Sequence, residues 1–83
     1  MSSSLPRMDA RAKDVRTSSD ELSVLLADGR RVSVPLSWFP RLLHATAAQR
    51  ENWRLLGDGE GIHWPELDED LSVAGLLGGN AGG

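Results

Sequence analysis

The sequence contains no cysteine. That removes disulfides, thiolate nucleophiles and cysteine-based zinc sites together. Long apolar runs are also missing, and nothing approaches the roughly 20 residues a membrane-spanning helix requires. No basic N-terminus leads into an apolar stretch, so no secretory signal is read and the expected compartment is the cytoplasm. The C-terminal part has no base at all. Residues 1–57 carry all nine Lys and Arg side chains and six acids, which gives +3, whereas residues 58–83 carry six acids and no base, which gives −6; the sum is the net charge of −3. An acidic total lacks the dense basic footprint that non-specific nucleic-acid binding needs.

What is present fits one small domain. At 83 residues the chain is short of two domains, and a chain of this size buries only roughly 60% of its unfolded surface. Residues 1–10 are Ser-rich and aperiodic and read as a loose leader. Residues 79–83 have no side chain able to anchor them and read as a frayed tail. The expected domain is 11–78.

Residues 11–17 alternate weakly and predict a short strand, and Ser18 to Asp20 a turn. Leu22, Val24 and Leu26, then Val32, Val34 and Leu36, each recur with period 2 around Asp28-Gly29, which marks a hairpin. Parity decides its loop. A two-residue loop would scatter the apolar side chains over both faces. A three-residue loop, Ala27-Asp28-Gly29 with Gly29 left-handed, pairs Val24 with Val32 and Leu22 with Val34 on one face. Pro35 ends the second strand. Ser37 is expected to cap a turn that aims Trp38, Phe39 and Leu42 at the sheet. Thr46 and Gln49 have capping-box spacing, which predicts a helix from Ala47 to Asn52. Trp53–Leu56 and Ile62–Trp64 read as short strands joined by a flexible Gly-rich turn. Asp68, Glu69 and Asp70 are expected to start a helix through Leu71 and Leu77, with Gly78 as its C-cap.

These residues also resemble a known group. The hairpin at Asp28-Gly29-Arg30, then Val34-Pro35-Leu36, Phe39-Pro40-Arg41-Leu42, Ala45-Thr46, Gln49-Arg50 and Trp53 lead to Gly61-Ile62-His63-Trp64-Pro65, Leu67-Asp68-Glu69-Asp70 and Leu76-Leu77. The pattern is similar to the bacterial domain-of-unknown-function family 2442 over about residues 12 to 78, and the closing Gly-Ile-His-Trp-Pro-x-Leu-Asp-Glu-Asp block is its specific part. The resemblance implies an α+β fold, in which a small curled antiparallel sheet packs with two or three short helices. It implies no established catalytic activity. Members encoded beside another small protein have been proposed as toxin–antitoxin-like pairs, and some relatives carry a helix-turn-helix domain, for which nothing after Leu77 leaves room here.

The most chemistry-like group is His63 with Asp68, Glu69 and Asp70, a set of metal-binding or acid–base residue types. Consecutive acids diverge on either a strand or a helix, so a helix-start cap and a solvated cluster are expected instead. Gly57-Asp58-Gly59-Glu60-Gly61 lacks the Lys-Ser/Thr of a phosphate loop, and His44 has no local acid. No catalytic, cofactor or metal site is expected. At least two of Trp38, Trp53 and Trp64 are expected in the core, with Trp64, beside the acids, as the interface tryptophan. Arg41 and Arg50 are expected to pair with Asp68, Glu69 or Asp70, or else to meet a partner.

The expected function is a non-catalytic protein-interaction module, the antitoxin-like or regulatory half of a two-protein module. It would contact a small cognate protein through Trp64, Glu66, Asp68, Glu69, Asp70, Arg41 and Arg50. A homodimer is compatible with a thin core and an edge strand, whereas direct DNA binding and membrane contact are not expected. Two other classes stand beside this reading. One is a nucleic-acid-linked regulatory domain, which would need Arg30, Arg31, Arg41, Arg50 and Arg54 on one face. The other is a small acidic inhibitor of a nucleic-acid-binding machine.

Overall fold

A single loop sets the register of the first sheet. In the computed structural model, which describes residues 9–78, Gly29 has φ +95° and its N–H donates to the Leu26 carbonyl, while Leu26 N donates to Arg30 O at 2.8 Å. The three-residue loop therefore joins β2 (Glu21–Leu26) to β3 (Arg31–Pro35), with Val24 opposite Val32 and Leu22 opposite Val34 as parity requires. Asp28 clamps the loop, accepting from Arg30 N, Arg30 Nε and Asp9 N. Strand β1 (Ala12–Thr17) pairs antiparallel with the other side of β2. A register shift between Ala12 and Asp14 lets Ala12 and Val15, three residues apart, both turn inward and become buried. Asp9 and Ala10 are no leader: Asp9 O accepts from Asp28 N, and Ala10 packs on the core. The rest of the expected leader, 1–8, and the expected tail, 79–83, lie outside the described residues.

After β3 the chain makes a 3₁₀ turn, Leu36–Trp38, and then α1 (Pro40–Leu43) and α2 (Ala47–Glu51). The capping box is formed in full: Thr46 Oγ1 accepts from Gln49 N, and Gln49 Oε1 accepts from Thr46 N. Ser37 caps nothing, because Pro35 and Phe39 occupy the two N-cap positions and neither makes a side-chain cap bond. A second antiparallel sheet follows, ordered β4–β5–β6, from β4 (Arg54–Leu56), β5 (Gly61–Trp64) and β6 (Glu69–Ser72). Helix α3 (Val73–Leu77) closes the described chain, with Ser72 Oγ accepting from Gly75 N and Gly78 as its C-cap. The architecture is α+β, with the strands divided between two three-stranded sheets.

Two local expectations are overturned here. Asp68, Glu69 and Asp70 do not begin a helix. Pairing with β5 claims Glu69 to Ser72 as a strand, with Leu71 opposite Ile62, so the helix starts at Val73. The Gly57–Gly61 turn is also fastened rather than flexible: Ala12 N donates to Gly59 O at 2.7 Å, and Val73 N donates to Glu60 O at 2.9 Å. Gly59 has φ +103°, and a Cβ there would collide with the Ala12 carbonyl, so glycine is required.

The core lies between the inner faces of the two sheets. Val15, Leu22, Val24, Leu26 and Val34 come from the first, and Ile62, Trp64 and Leu71 from the second. Leu36, Phe39, Leu42, Val73 and Leu76 fill the ends. Among the described residues no polar or charged residue is buried. No helix among them is long and apolar enough to cross a membrane.

Candidate interaction surface

Trp64 is not an interface residue. Its neighbours on β5 alternate about the sheet, so Ile62 and Trp64 share the inner face, and Trp64 is fully buried. Its indole N–H donates to the Arg50 carbonyl at 2.9 Å, which satisfies the one polar atom that burial would otherwise strand. Arg50 in turn reaches back to α1, donating from Nε to Leu42 O (2.8 Å) and from Nη2 to Leu43 O (2.9 Å). Both carbonyls belong to the C-terminal turn of α1, where the helix leaves acceptor capacity open, although Leu42 O also accepts from Ala45 N at 3.2 Å. Arg50 thus holds a helix terminus and pairs with none of the acids expected for it.

Arg41 behaves differently. Its Nη1 donates to Asp68 O at 2.7 Å and lies 4.0 Å from Glu69 Oε1. It ties α1 to the turn between β5 and β6. The acids of that turn spread outward, as consecutive side chains must. Glu66 accepts from Asn52 Nδ2 at 2.8 Å. Asp68 has φ +51°, a left-handed conformation that Asp tolerates better than most residues, and it is exposed. Asp70 stands opposite His63 on β5, with Oδ1 against His63 Nδ1. The His63 group therefore resolves into a single cross-strand pair. Among the described residues no three His, Asp or Glu side chains gather as metal ligands.

The two charged halves meet at few places. Arg11, Arg16 and Arg30 pair with Asp9, Asp14 and Asp28, each two residues away; among the described residues Arg41 is the first-half base that forms an ion pair with a C-terminal acid, and Asp58 and Glu60 lie close enough to act on Arg11. The carboxylates of the β5–β6 turn are left facing solvent. The five arginines of the nucleic-acid reading do not form one face: Arg30 sits at the hairpin loop, Arg31 hydrogen-bonds Ser23 on the outer face of the first sheet, Arg41 and Arg50 are engaged as described, and Arg54 lies on β4.

The exposed tryptophan is Trp38, 43% accessible. Three residues per turn put Leu36 and Phe39 on the same side of the 3₁₀ segment. Both are fully buried with Leu42, and Trp38 falls between them on the outside. The Leu36, Phe39, Leu42 spacing of three was the signal available in the sequence. Trp38 stands three residues before Arg41, whose guanidinium rests on the acidic turn. An exposed aromatic and a solvated set of carboxylates thus lie on segments that Arg41 ties together. Sequence reasoning also missed three exposed leucines, Leu55, Leu56 and Leu77, which periodicity had assigned to strands and a helix without saying which face of them would remain open.

Comparison with known proteins agrees with this fold. Residues 12–82 match the family described as "Protein of unknown function (DUF2442)". A crystal structure of a protein of unknown function from Rhodospirillum rubrum is 35% identical, with a TM-score of 0.75 over 88% of this chain and 90% of that one. A solution NMR structure of an uncharacterized protein from Chromobacterium violaceum is 25% identical, with a TM-score of 0.73 over 88% of this chain and 69% of that one. No curated protein matches. The chain belongs to the DUF2442 family.

Proposed function

We propose that this member of the DUF2442 family is a non-catalytic protein-interaction module of the cytoplasm, the regulatory or antitoxin-like half of a two-protein module. Its small cognate protein docks on Trp38 and the acidic β5–β6 turn. The observation that carries this reading is the exposure of Trp38 beside a run in which Leu36, Phe39 and Leu42 are all fully buried. A thin core uses its large apolar side chains, and one left outside next to charged groups is typical of an interface hot spot. Glu66, Asp68 and Asp70 remain exposed around the same turn, so a basic partner surface complements it. Trp64 and Arg50 are engaged within the fold, whereas exposed Arg41 stands beside the acidic turn and borders the docking surface.

The test is capture of the tagged chain's partner from its native extract, followed by titration of the purified pair. Trp38→Ala should weaken the complex by about 30-fold or more, the scale of a hot-spot residue. Asp68→Asn keeps a side chain that tolerates φ +51° and removes only the charge, so it should weaken binding more at low salt than at high salt. Unchanged affinity in both variants rejects this surface.

A further inference from the structure

The second sheet ends on β6, and one side of that strand is open. Val73 N donates to Glu60 O at 2.9 Å, which fixes the alternation of the β5–β6 ladder. In the observed register Leu71 and Glu69 bond to Ile62 and Trp64, whereas Asp70 and Ser72 stand opposite His63 and Gly61 with their backbone groups turned away from β5. Asp70 therefore presents an N–H and a C=O along the outer edge, and Ser72 an N–H. The Ser72 C=O serves the first turn of α3, of which Ser72 is the N-cap. No strand among the described residues pairs with this edge. A row of open donors and acceptors is complementary to another extended backbone.

The side chains along the edge are acidic. Ile62 and Leu71 face the core, so the outer face of the sheet carries two cross-strand rows: Arg54, His63 and Asp70, then Leu56, Gly61 and Ser72. Gly61 contributes no side chain, and with Leu56, Glu60, Asp70 and Ser72 it borders an open hollow of about 420 Å³. Leu56 gives this hollow an exposed apolar wall. Glu60 accepts from Asp58 N, and Asp70 meets His63 Nδ1, yet the Asp70 side chain is still 68% accessible. Asp68, at the turn before β6, is exposed as well. Arg54, the arginine on this face, stands on β4, the far strand from the open edge.

Charge and shape together identify the occupant. A strand laid along β6 continues the alternation of the sheet, so every second side chain of it falls on the outer face beside Asp70 and Ser72. The hollow suits Lys or Arg, whose apolar stem covers Leu56 and Gly61 while the cationic head reaches Glu60 and Asp70. An acidic segment would set like charge against Asp68 and Asp70.

We propose that the partner of the acidic turn binds by strand addition: an extended segment with Lys or Arg at alternate positions pairs with the open edge of β6 and lays a basic side chain in the hollow over Gly61. This rests on the reading of the acidic turn as the docking surface and adds the form in which the partner arrives. The probe is a short capped peptide of alternating arginine and valine, titrated into the isotope-labelled full chain at low salt and followed by NMR. It should bind with a Kd below about 1 mM, and a glutamate–valine peptide about 10-fold more weakly or not at all. In the complex the amide hydrogens of Asp70 and Ser72 should exchange with solvent about 10-fold more slowly. Only alternate amides of the peptide face the edge, so N-methylation of one set should weaken binding about 10-fold while N-methylation of the other set leaves it unchanged. Antiparallel addition assigns the loss to the arginine amides, although their charge is kept. No binding at ~1 mM, equal binding of the two methylated peptides, or unchanged exchange at Asp70 and Ser72 overturns the proposal. Its failure leaves the docking surface standing, because weakening of the native complex by Trp38→Ala does not depend on the β6 backbone. A native complex indifferent to Trp38→Ala and Asp68→Asn instead rejects the surface itself.

Discussion

Asp28 shows how much a single side chain can fix. Its carboxyl is held below the usual carboxylate range, foremost by the Arg30 backbone N–H, then by the Arg30 guanidinium and the Asp9 N–H, against the opposing effect of burial. A carboxyl whose pKa is lower folded than unfolded stabilises the fold above its unfolded pKa, and that contribution fades as pH falls through the folded value. Asp28→Asn never has it. The stability gap between the native chain and Asp28→Asn should therefore narrow as urea midpoints are measured from about pH 5 down to about pH 2. A gap that stays constant over that window would show that the ionised form is not what closes the loop. At this scale the sequence was easy to read where chemistry is local. Asp-Gly specified the loop, and Pro35 the strand end. It was opaque for Arg50, because no neighbour in sequence indicates that a guanidinium will turn back eight residues to the Leu42 carbonyl.

The short helices depend on their ends. Five residues are too few for α2 to persist alone in water, so the reciprocal bonds between Thr46 and Gln49 and its packing against the rest of the domain decide whether it forms. Thr46→Ala should cost about 1 kcal/mol, read as a lower denaturant midpoint at unchanged slope. A shift of a few tenths or less would mean that packing alone holds α2. Elements with their own stop and start chemistry were legible in the sequence: the β2–β3 hairpin, the capping box, and the strand before Pro65. The element that was not legible is β6. Glu69-Asp70-Leu71-Ser72 before an apolar run reads locally as a helix start, and only the presence of β5 alongside turns it into a strand.

Across the whole molecule, Trp64 is the joint between the second sheet and the helical segment. A domain of about 70 residues has a total stability of roughly 4–10 kcal/mol. Trp64→Ala, which empties a fully buried site, should cost about 3–5 kcal/mol and leave the chain near its unfolding limit. Trp64→Phe keeps most of the apolar volume, loses the bond to Arg50 O, and should cost less. Thermal melts of the two variants rank these effects; an Ala variant as stable as the Phe variant would contradict the placement of Trp64 in the core. The sequence by itself determined the odd-length hairpin loop with its apolar face and the capped second helix, because each depends on one short contiguous stretch of chain, while the α+β class came from the family resemblance. Tertiary structure decided which tryptophan faces water, that the strands divide into two sheets, and that the Gly-rich turn is pinned between β1 and α3. Those outcomes depend on which segments meet across long stretches of chain. Burial is settled only by that meeting: Trp64 stands on the inner face of β5 and is fully buried, whereas Trp38 falls on the outside of a turn whose Leu36 and Phe39 take the inner positions.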